Sequence, residues 1–197
     1  MAGVGFVRVV GGALRGRKLQ VLDRGVRPTS ERTREAIFDI LGPGTVAGAR
    51  VLDLYAGTGA LGTEALSRGA RSADFIDTDR AVARRLEESL AELGLAGVAR
   101  VHVGDLDRGL PAGLEGPWDL VFLDPPYDGD AGSRWVEAAA RGGLLGADGL
   151  LVYERRKGSD APAPAGLTLR TDRTYGDTSV AFYRADVPEG RPGQGGL

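Results

Sequence analysis

The chain of 197 residues contains no cysteine. That excludes disulfides, a zinc site built on thiolates and a thiol nucleophile, and it suits a cytoplasmic setting. There is one histidine, His102. It falls in a strand-like run, where packing is the expected role rather than acid/base chemistry, and nothing in the pattern calls for a metal. No stretch approaches the ~20 apolar residues needed to span a bilayer. Residues 1–10 lack the basic segment and apolar core of a secretory signal, so neither export nor a membrane partner is expected. There is no internal repeat, and most of the 32 glycines fall at turns between apolar runs. The length suits one compact domain with a short appendage, here expected as a monomer.

Charge is short on one side of the chain. Residues 1–34 hold eight bases (Arg8, Arg15, Arg17, Lys18, Arg24, Arg27, Arg32 and Arg34) against Asp23 and Glu31. The remainder is acidic, so the net charge of −2 hides a basic arm on an acidic body. Such an arm suits a polyanion, although a merely solvated segment would look the same from charge alone.

Residues 7–10 and 18–22 read as two short strands of a hairpin around a glycine- and arginine-rich loop. Arg27-Pro28-Thr29-Ser30 turns into a helix that Thr29 or Ser30 can cap, with Ile37, Ile40 and Leu41 on one face. Gly42-Pro43-Gly44 ends it. Strand-like runs at 50–54, 73–76, 100–103, 119–123 and 149–154 then alternate with helical patterns at 60–68, 80–93 and 133–141. Residues 167–174 and 179–184 read as a closing antiparallel pair. Alternation of this kind implies an α/β fold with a mostly parallel sheet covered on both faces, and a ligand beyond the carboxyl ends of its strands. The expected divisions are 1–44 as a basic hairpin-and-helix extension, 45–185 as the main domain and 186–197 as a disordered tail rich in glycine and proline.

Val51-Leu52-Asp53-Leu54-Tyr55-Ala56-Gly57-Thr58-Gly59-Ala60-Leu61-Gly62 reads as a strand, a tight turn and a helix start. Glycines there let the backbone approach a ligand. The spacing of Gly57, Gly59 and Gly62 also satisfies a dinucleotide pattern, and alone it is no more than a strand-to-helix turn. Asp53, four residues before Gly57, favours S-adenosylmethionine: a carboxylate suits a cationic amino-acid ligand and would repel a pyrophosphate. At the end of the next strand, Asp77 can accept both hydroxyls of a ribose, which NAD would satisfy equally. Asp79 is expected to cap the following helix. After the third strand of the main domain, Asp105 could accept from an adenine amine with Leu106 against the ring, or serve simply as a turn residue.

Asp119-Leu120-Val121-Phe122-Leu123-Asp124-Pro125-Pro126-Tyr127 is the more specific signal. Two prolines stiffen the loop after a buried strand. The Asp124 carboxylate and the Pro125 carbonyl can each accept one N–H of an exocyclic base amine, turning its delocalised lone pair toward a methyl donor. Tyr127 can stack on the base. A rigid proline turn with no chemistry is the alternative for this run in isolation.

The order of these motifs resembles class I methyltransferases acting on amino groups. Arg8-Val9-Val10-Gly11-Gly12, Arg15-Gly16-Arg17-Lys18-Leu19, Arg27-Pro28-Thr29, Arg32, Arg34-Glu35 and Phe38 look like the RsmD family of small-subunit ribosomal RNA guanine-N2 methyltransferases. The glycine turn, Glu64-Ala65-Leu66-Ser67-Arg68-Gly69, the Asp-Pro-Pro-Tyr run and Tyr175-Gly176-Asp177-Thr178 fit the same family. The resemblance spans about residues 7–184. It implies a Rossmann-like, seven-stranded, mostly parallel sheet with an N-terminal β-hairpin. It further implies that Asp53, Ala56, Gly57 and Gly59 hold the methionine part of S-adenosyl-L-methionine, Asp77 the ribose, and Asp105 and Leu106 the adenine. Asp124, Pro125, Pro126 and Tyr127 would form the target-base pocket. Arg8, Arg15, Arg17, Lys18, Arg27, Arg32 and Arg34 would grip ribosomal RNA or the assembling small subunit. The family often has Glu where Asp77 stands and a Thr-Asp pair where Ser30-Glu31 stands. Rival readings are a DNA adenine or protein glutamine amino-methyltransferase, a nicotinamide-dependent oxidoreductase, and a non-catalytic RNA-binding assembly factor.

Overall fold

The computed structural model describes residues 3–23, 30–114, 116–127 and 129–186. Strands β1 (Gly3–Arg8) and β2 (Lys18–Asp23) pair antiparallel as a separate two-stranded sheet. The first strand sits earlier than its apolar run suggests. Val9 and Gly16 close the loop instead, with Val9 N donating to Arg17 O at 2.9 Å and Gly16 N to Val9 O at 2.8 Å.

Helix α1 (Glu31–Leu41) is capped by Ser30, whose side chain accepts from Thr33 N. Its buried face is Thr33, Arg34, Ile37, Phe38 and Leu41. Ile40, expected on that face, is exposed, because a 3.6-residue repeat aligns position 34 with 37, 38 and 41 and rotates 40 outward. Gly42, with φ of 71°, ends the helix, and Pro43–Val46 form a single further turn, α2.

The main sheet is built from β3 (Arg50–Leu54), β4 (Ser72–Asp77), β5 (Ala99–Val103), β6 (Trp118–Leu123), β7 (Leu145–Arg156), β8 (Leu167–Tyr175) and β9 (Thr178–Ala185). Its spatial order is β5-β4-β3-β6-β7-β9-β8, with β5 through β7 parallel and β9 antiparallel to both its neighbours, β7 and β8. This is the expected seven-stranded Rossmann-like sheet with a hairpin extension. β3 runs outward to β4 and β5 on one side and to β6 on the other, so strand order reverses between β3 and β6. A crevice opens at that reversal, beyond the carboxyl ends of the strands.

Alternate residues of β3, β6 and β7 face opposite layers. Val51, Leu120, Phe122 and Val152 join Ile37, Phe38 and Leu41 of α1, Ala65 and Leu66 of α3 (Ala60–Ser67), and Leu86 and Leu90 of α4 (Arg80–Glu92). Leu52, Leu54, Val121, Leu123 and Leu151 join Trp135, Val136 and Ala139 of α5 (Ala131–Ala140). The first layer also holds Val9 and Leu19, so the N-terminal hairpin shares the core of the main domain. Phe38 and Phe122 meet at 5.7 Å between ring centroids with a 55° tilt, a geometry worth ~1 kcal/mol beyond area burial.

Every residue of α3 is buried. A helix covered on all sides needs partners for its polar groups; the hairpin supplies them for Glu64 and Ser67, while the Thr63 hydroxyl is buried without one. Glu64 Oε2 accepts from Val10 N at 2.8 Å and Glu64 Oε1 from Arg68 Nε at 2.9 Å. Ser67 Oγ donates to Gly11 O and accepts from Leu14 N. Gly12 lies so close that a Cβ would stand 2.0 Å from Ser67 O, on a backbone with φ of +74°. Strand β2 lies against α4, where Gln20 O accepts from Ser89 Oγ at 2.8 Å and Gln20 Oε1 from Arg85 at 2.8 Å. Among the described residues no helix is long and apolar enough to cross a membrane. The expected disordered tail, apart from Asp186, lies outside the described residues.

Candidate active site

A cavity of about 1070 Å³ opens at the carboxyl ends of β3, β4, β6 and β7. It is lined on one side by Asp53, Ala56, Gly57 and Asp77, and on the other by Asp124, Pro125, Pro126 and Tyr127. The glycine turn and the Asp-Pro-Pro-Tyr loop therefore face one space. They also approach directly, with Asp124 N 3.5 Å from Leu54 O.

The turn after β3 is shaped by close packing. Tyr55 and Gly57 have φ of 58° and 52°, and Gly59 has 69°. A Cβ on Gly59 would stand 2.3 Å from Leu86 Cδ1, and one on Gly62 would stand 2.4 Å from Phe75 Cε1. These two glycines let α3 and the turn settle on α4 and β4; Gly59 itself is not part of the cavity wall. Non-glycine Tyr55 at positive φ is backbone strain of the kind held at functional sites.

Asp53 is only 2% exposed and accepts from Gly62 N at 2.9 Å. Burial, with the nearby Asp77 charge adding to it and the Gly62 bond opposing, pushes its carboxyl up to about 7. Asp77 accepts from Gly57 N and from Asp79 N, each at 2.8 Å. Among the described residues neither carboxylate pairs with a lysine or arginine. Two acids with only backbone partners suit a ligand carrying positive charge and hydroxyls, and they disfavour a pyrophosphate. The donor set therefore fits S-adenosylmethionine and argues against a dinucleotide. Asp79 caps α4 as expected, accepting from Ala81 N and Val82 N.

Asp105 and Leu106 lie outside the cavity lining. Asp105 Oδ1 accepts from Asp107 N at 3.0 Å and its Oδ2 stands 3.4 Å from Arg108 Nε, the geometry of a turn residue. Leu106 is buried in the core layer of α5. His102 lies in β5, where its Nε2 is 3.0 Å from Asp74 Oδ1, and Asp74 also accepts from Trp118 Nε1. That chain of contacts is structural and away from the cavity.

On the other side, Pro125 is buried while Pro126 and Tyr127 are exposed. The Tyr127 hydroxyl lies 2.9 Å from Thr178 Oγ1, which ties the loop to the β8–β9 turn. Burial raises the Tyr127 phenol; the Thr178 bond opposes this, and the Glu154 and Asp124 carboxylates add to it. The Arg156 guanidinium lies over the Tyr127 ring at 5.8 Å from its centroid. Glu154, at 4% exposure, also lines the cavity. In the sequence it is no more than the last residue of a strand-like run. An acid at the carboxyl end of a sheet strand is the signal available there.

The basic residues divide. Arg8, Arg15, Arg17 and Lys18 are exposed on the hairpin, and exposed Arg32 reaches the cavity rim. Arg17 donates to Glu92 O at 3.4 Å and the Lys18 ammonium sits 5.5 Å from the Phe6 ring centroid. Arg34 must be removed from the set expected to grip RNA. It is 1% exposed, donates to Arg8 O at 2.7 Å, and is covered by its own helix and the hairpin. Burial lowers its guanidinium, against the pull of the Glu64, Glu31 and Glu154 carboxylates. Arg27 lies outside the described residues.

The sheet order, the switch-point cavity and its two loops define a class I methyltransferase. The chain belongs to the family described as Conserved hypothetical protein 95, whose pattern matches residues 7–184. This is the family that the RsmD resemblance pointed to. Ribosomal RNA small subunit methyltransferase D of Escherichia coli (strain K12) is 37% identical over 188 residues, covering 94% of this chain and 93% of that protein. A solved Escherichia coli structure superposes with a TM-score of 0.80 at 37% identity, covering 92% of this chain and 99% of its own. An RNA methyltransferase from Salinibacter ruber, solved with S-adenosyl-L-homocysteine, shares the fold at a TM-score of 0.63 and 15% identity, covering 83% of this chain and 98% of that one.

Proposed function

We propose that the protein transfers a methyl group from S-adenosyl-L-methionine to the exocyclic N2 amine of a guanine in small-subunit ribosomal RNA. The observation that carries this reading is the meeting of the glycine turn and the Asp-Pro-Pro-Tyr loop in one cavity, with carboxylates on both sides. The curated relative's name supplies the RNA class. Exposed bases on the docked hairpin supply phosphate contacts.

The cofactor provides an electrophilic methyl on a sulfonium. Asp53 and the Gly57 turn would hold its amino-acid end, and Asp77 would accept from the ribose. The target guanine is everted from its RNA and stacks on Tyr127. Asp124 and the Pro125 carbonyl accept hydrogen bonds from its two amine N–H groups and aim the nitrogen lone pair at the methyl. S-adenosylmethionine would give its methyl to the nitrogen and leave as S-adenosylhomocysteine, and Asp124 would be the near acceptor for the proton the amine loses. Alignment, fixed by the two prolines and the Tyr127–Thr178 contact, supplies much of the rate.

The test is methyl labelling of small-subunit RNA, of small subunits from cells lacking the protein, of DNA and of bulk protein. Nuclease digestion and mass spectrometry follow. N2-methylguanosine at one position of the small-subunit RNA is expected. Label confined to DNA or protein, or to adenine in RNA, would refute it.

A further inference from the structure

We propose that Glu154 reads the target base, its carboxylate accepting the N1–H of guanine beside the amine that Asp124 holds; this rests on the guanine-N2 reading above. The register of β6 and β7 pairs Leu123 with Tyr153. The next residues are Asp124 and Glu154, so two acids stand side by side where neighbouring strands are ~4.8 Å apart. Side chains alternate along a strand, so Glu154 shares the face of Val152, the layer that carries α1. It lines the cavity while only 4% exposed, which places it at the floor rather than the rim. The buried Arg34 guanidinium and the Tyr127 phenol both face it.

An ionised carboxylate only accepts hydrogen bonds. Guanine presents adjacent donors, N1–H and the N2 amine. Adenine and cytosine each present an amine beside a ring nitrogen that is itself an acceptor. A pocket that takes an amine at Asp124 and sets a second acceptor next to it therefore matches guanine, and it opposes the lone pair of the other two. Discrimination by leaving a buried polar group unmatched is stronger than discrimination by shape. Asp124 selects an amine, and Glu154 selects which base carries it.

The experiment uses small-subunit RNA ligated to carry either guanine or 2-aminopurine at the mapped position, free or in a reconstituted particle, whichever the wild type methylates. 2-Aminopurine keeps the amine but offers an acceptor in place of N1–H. Transfer (kcat/KM) to both RNAs is measured for wild type, Glu154→Gln and Glu154→Asp, with S-adenosylhomocysteine binding and thermal melting as folding controls. The wild type should prefer guanine by about 10- to 100-fold, the value of a charge-assisted hydrogen bond. Glu154→Gln, whose amide can donate to the ring nitrogen, should bring that ratio toward one. Glu154→Asp, with its charge drawn back by one methylene, should shrink it as well and decides the matter if the glutamine variant does not fold. A wild-type ratio near one overturns the proposal. So does an equal loss on both RNAs in the variants, the pattern of a purely structural contact with Arg34. A wild type that leaves the guanine RNA unmethylated sinks the underlying reading instead, and this is seen before any variant is made.

Discussion

Replacing Asp53 by asparagine should make the free protein more stable at pH 8 while weakening its hold on the cofactor. Asp53 has a folded-state carboxyl at about 7 against an ordinary value of 3.8, chiefly because it is buried. Between those values the folded state binds a proton that the unfolded state has lost, so this group's contribution to stability falls as pH rises from about 4 to 7 and levels off above. At ~1.4 kcal/mol for each pH unit between the two values, holding the ionised form in the fold costs about 4 kcal/mol at pH 8. An asparagine at this position would keep the acceptor for Gly62 N and carry no charge. Urea unfolding of both proteins should show near-equal stability at pH 4 and a gap that widens by about 1.4 kcal/mol per pH unit up to pH 7. By pH 8 the variant should melt roughly 8–16 °C higher. On the proposed function the charge serves the ligand, since a cationic amino-acid group would favour the carboxylate. Cofactor binding below pH 7 should therefore release a proton, and Asp53→Asn should bind S-adenosylhomocysteine roughly 10- to 100-fold more weakly. Calorimetry in buffers of different ionisation enthalpy reads the proton directly. A variant less stable than wild type at pH 8, with the gap unchanged by pH, would refute the reasoning.

Glu64→Ala removes the acceptor of both Val10 N and Arg68, and should cost about 3 kcal/mol, or roughly 6–12 °C of melting temperature. A melt within a degree of wild type would show that the hairpin is held by apolar contact alone. Asp124→Ala should lower kcat by about 100-fold or more while RNA affinity measured by filter binding changes little; full activity would remove Asp124 from the mechanism. Reversing charge at Arg15, Arg17 and Lys18 together should weaken RNA binding and reduce the slope of log affinity against log salt by about 2. An unchanged slope would place the RNA elsewhere.

The alternation of apolar runs makes the sheet legible because a parallel strand buried on both faces has no other reading at that length, and β3, β4 and β6 fall within two residues of their runs. The two loops are legible because glycine and proline are confined by backbone sterics to few uses. What stays hidden depends on distant chain. β7 begins at Leu145 rather than 149, across a register shift near Trp118 that only its neighbour reveals. Arg34 reads as one more base in a basic arm, yet it is buried, because position 34 falls on the same helix face as Ile37 and Phe38. Asp105 stands where the resemblance implies an adenine contact, and its contacts are those of a turn. Glu154 carries no motif at all.

These cases share a cause that bears on function. The N-terminal arm looks separable by charge, but the structure builds it into the catalytic body. Gly11 and Gly12 rest on α3, Gln20 rests on α4, and Arg34 joins the Arg8 carbonyl to the charges of Glu64 and Glu154. α3 follows the glycine turn, and Glu154 stands in the cavity beside Asp124. On the proposed function, an arm that meets RNA through its exposed bases would thus be fixed to the elements proposed to hold the cofactor and the base. Affinity gained at the hairpin becomes position at the amine, and methyl transfer to a weak nucleophile depends on position above all.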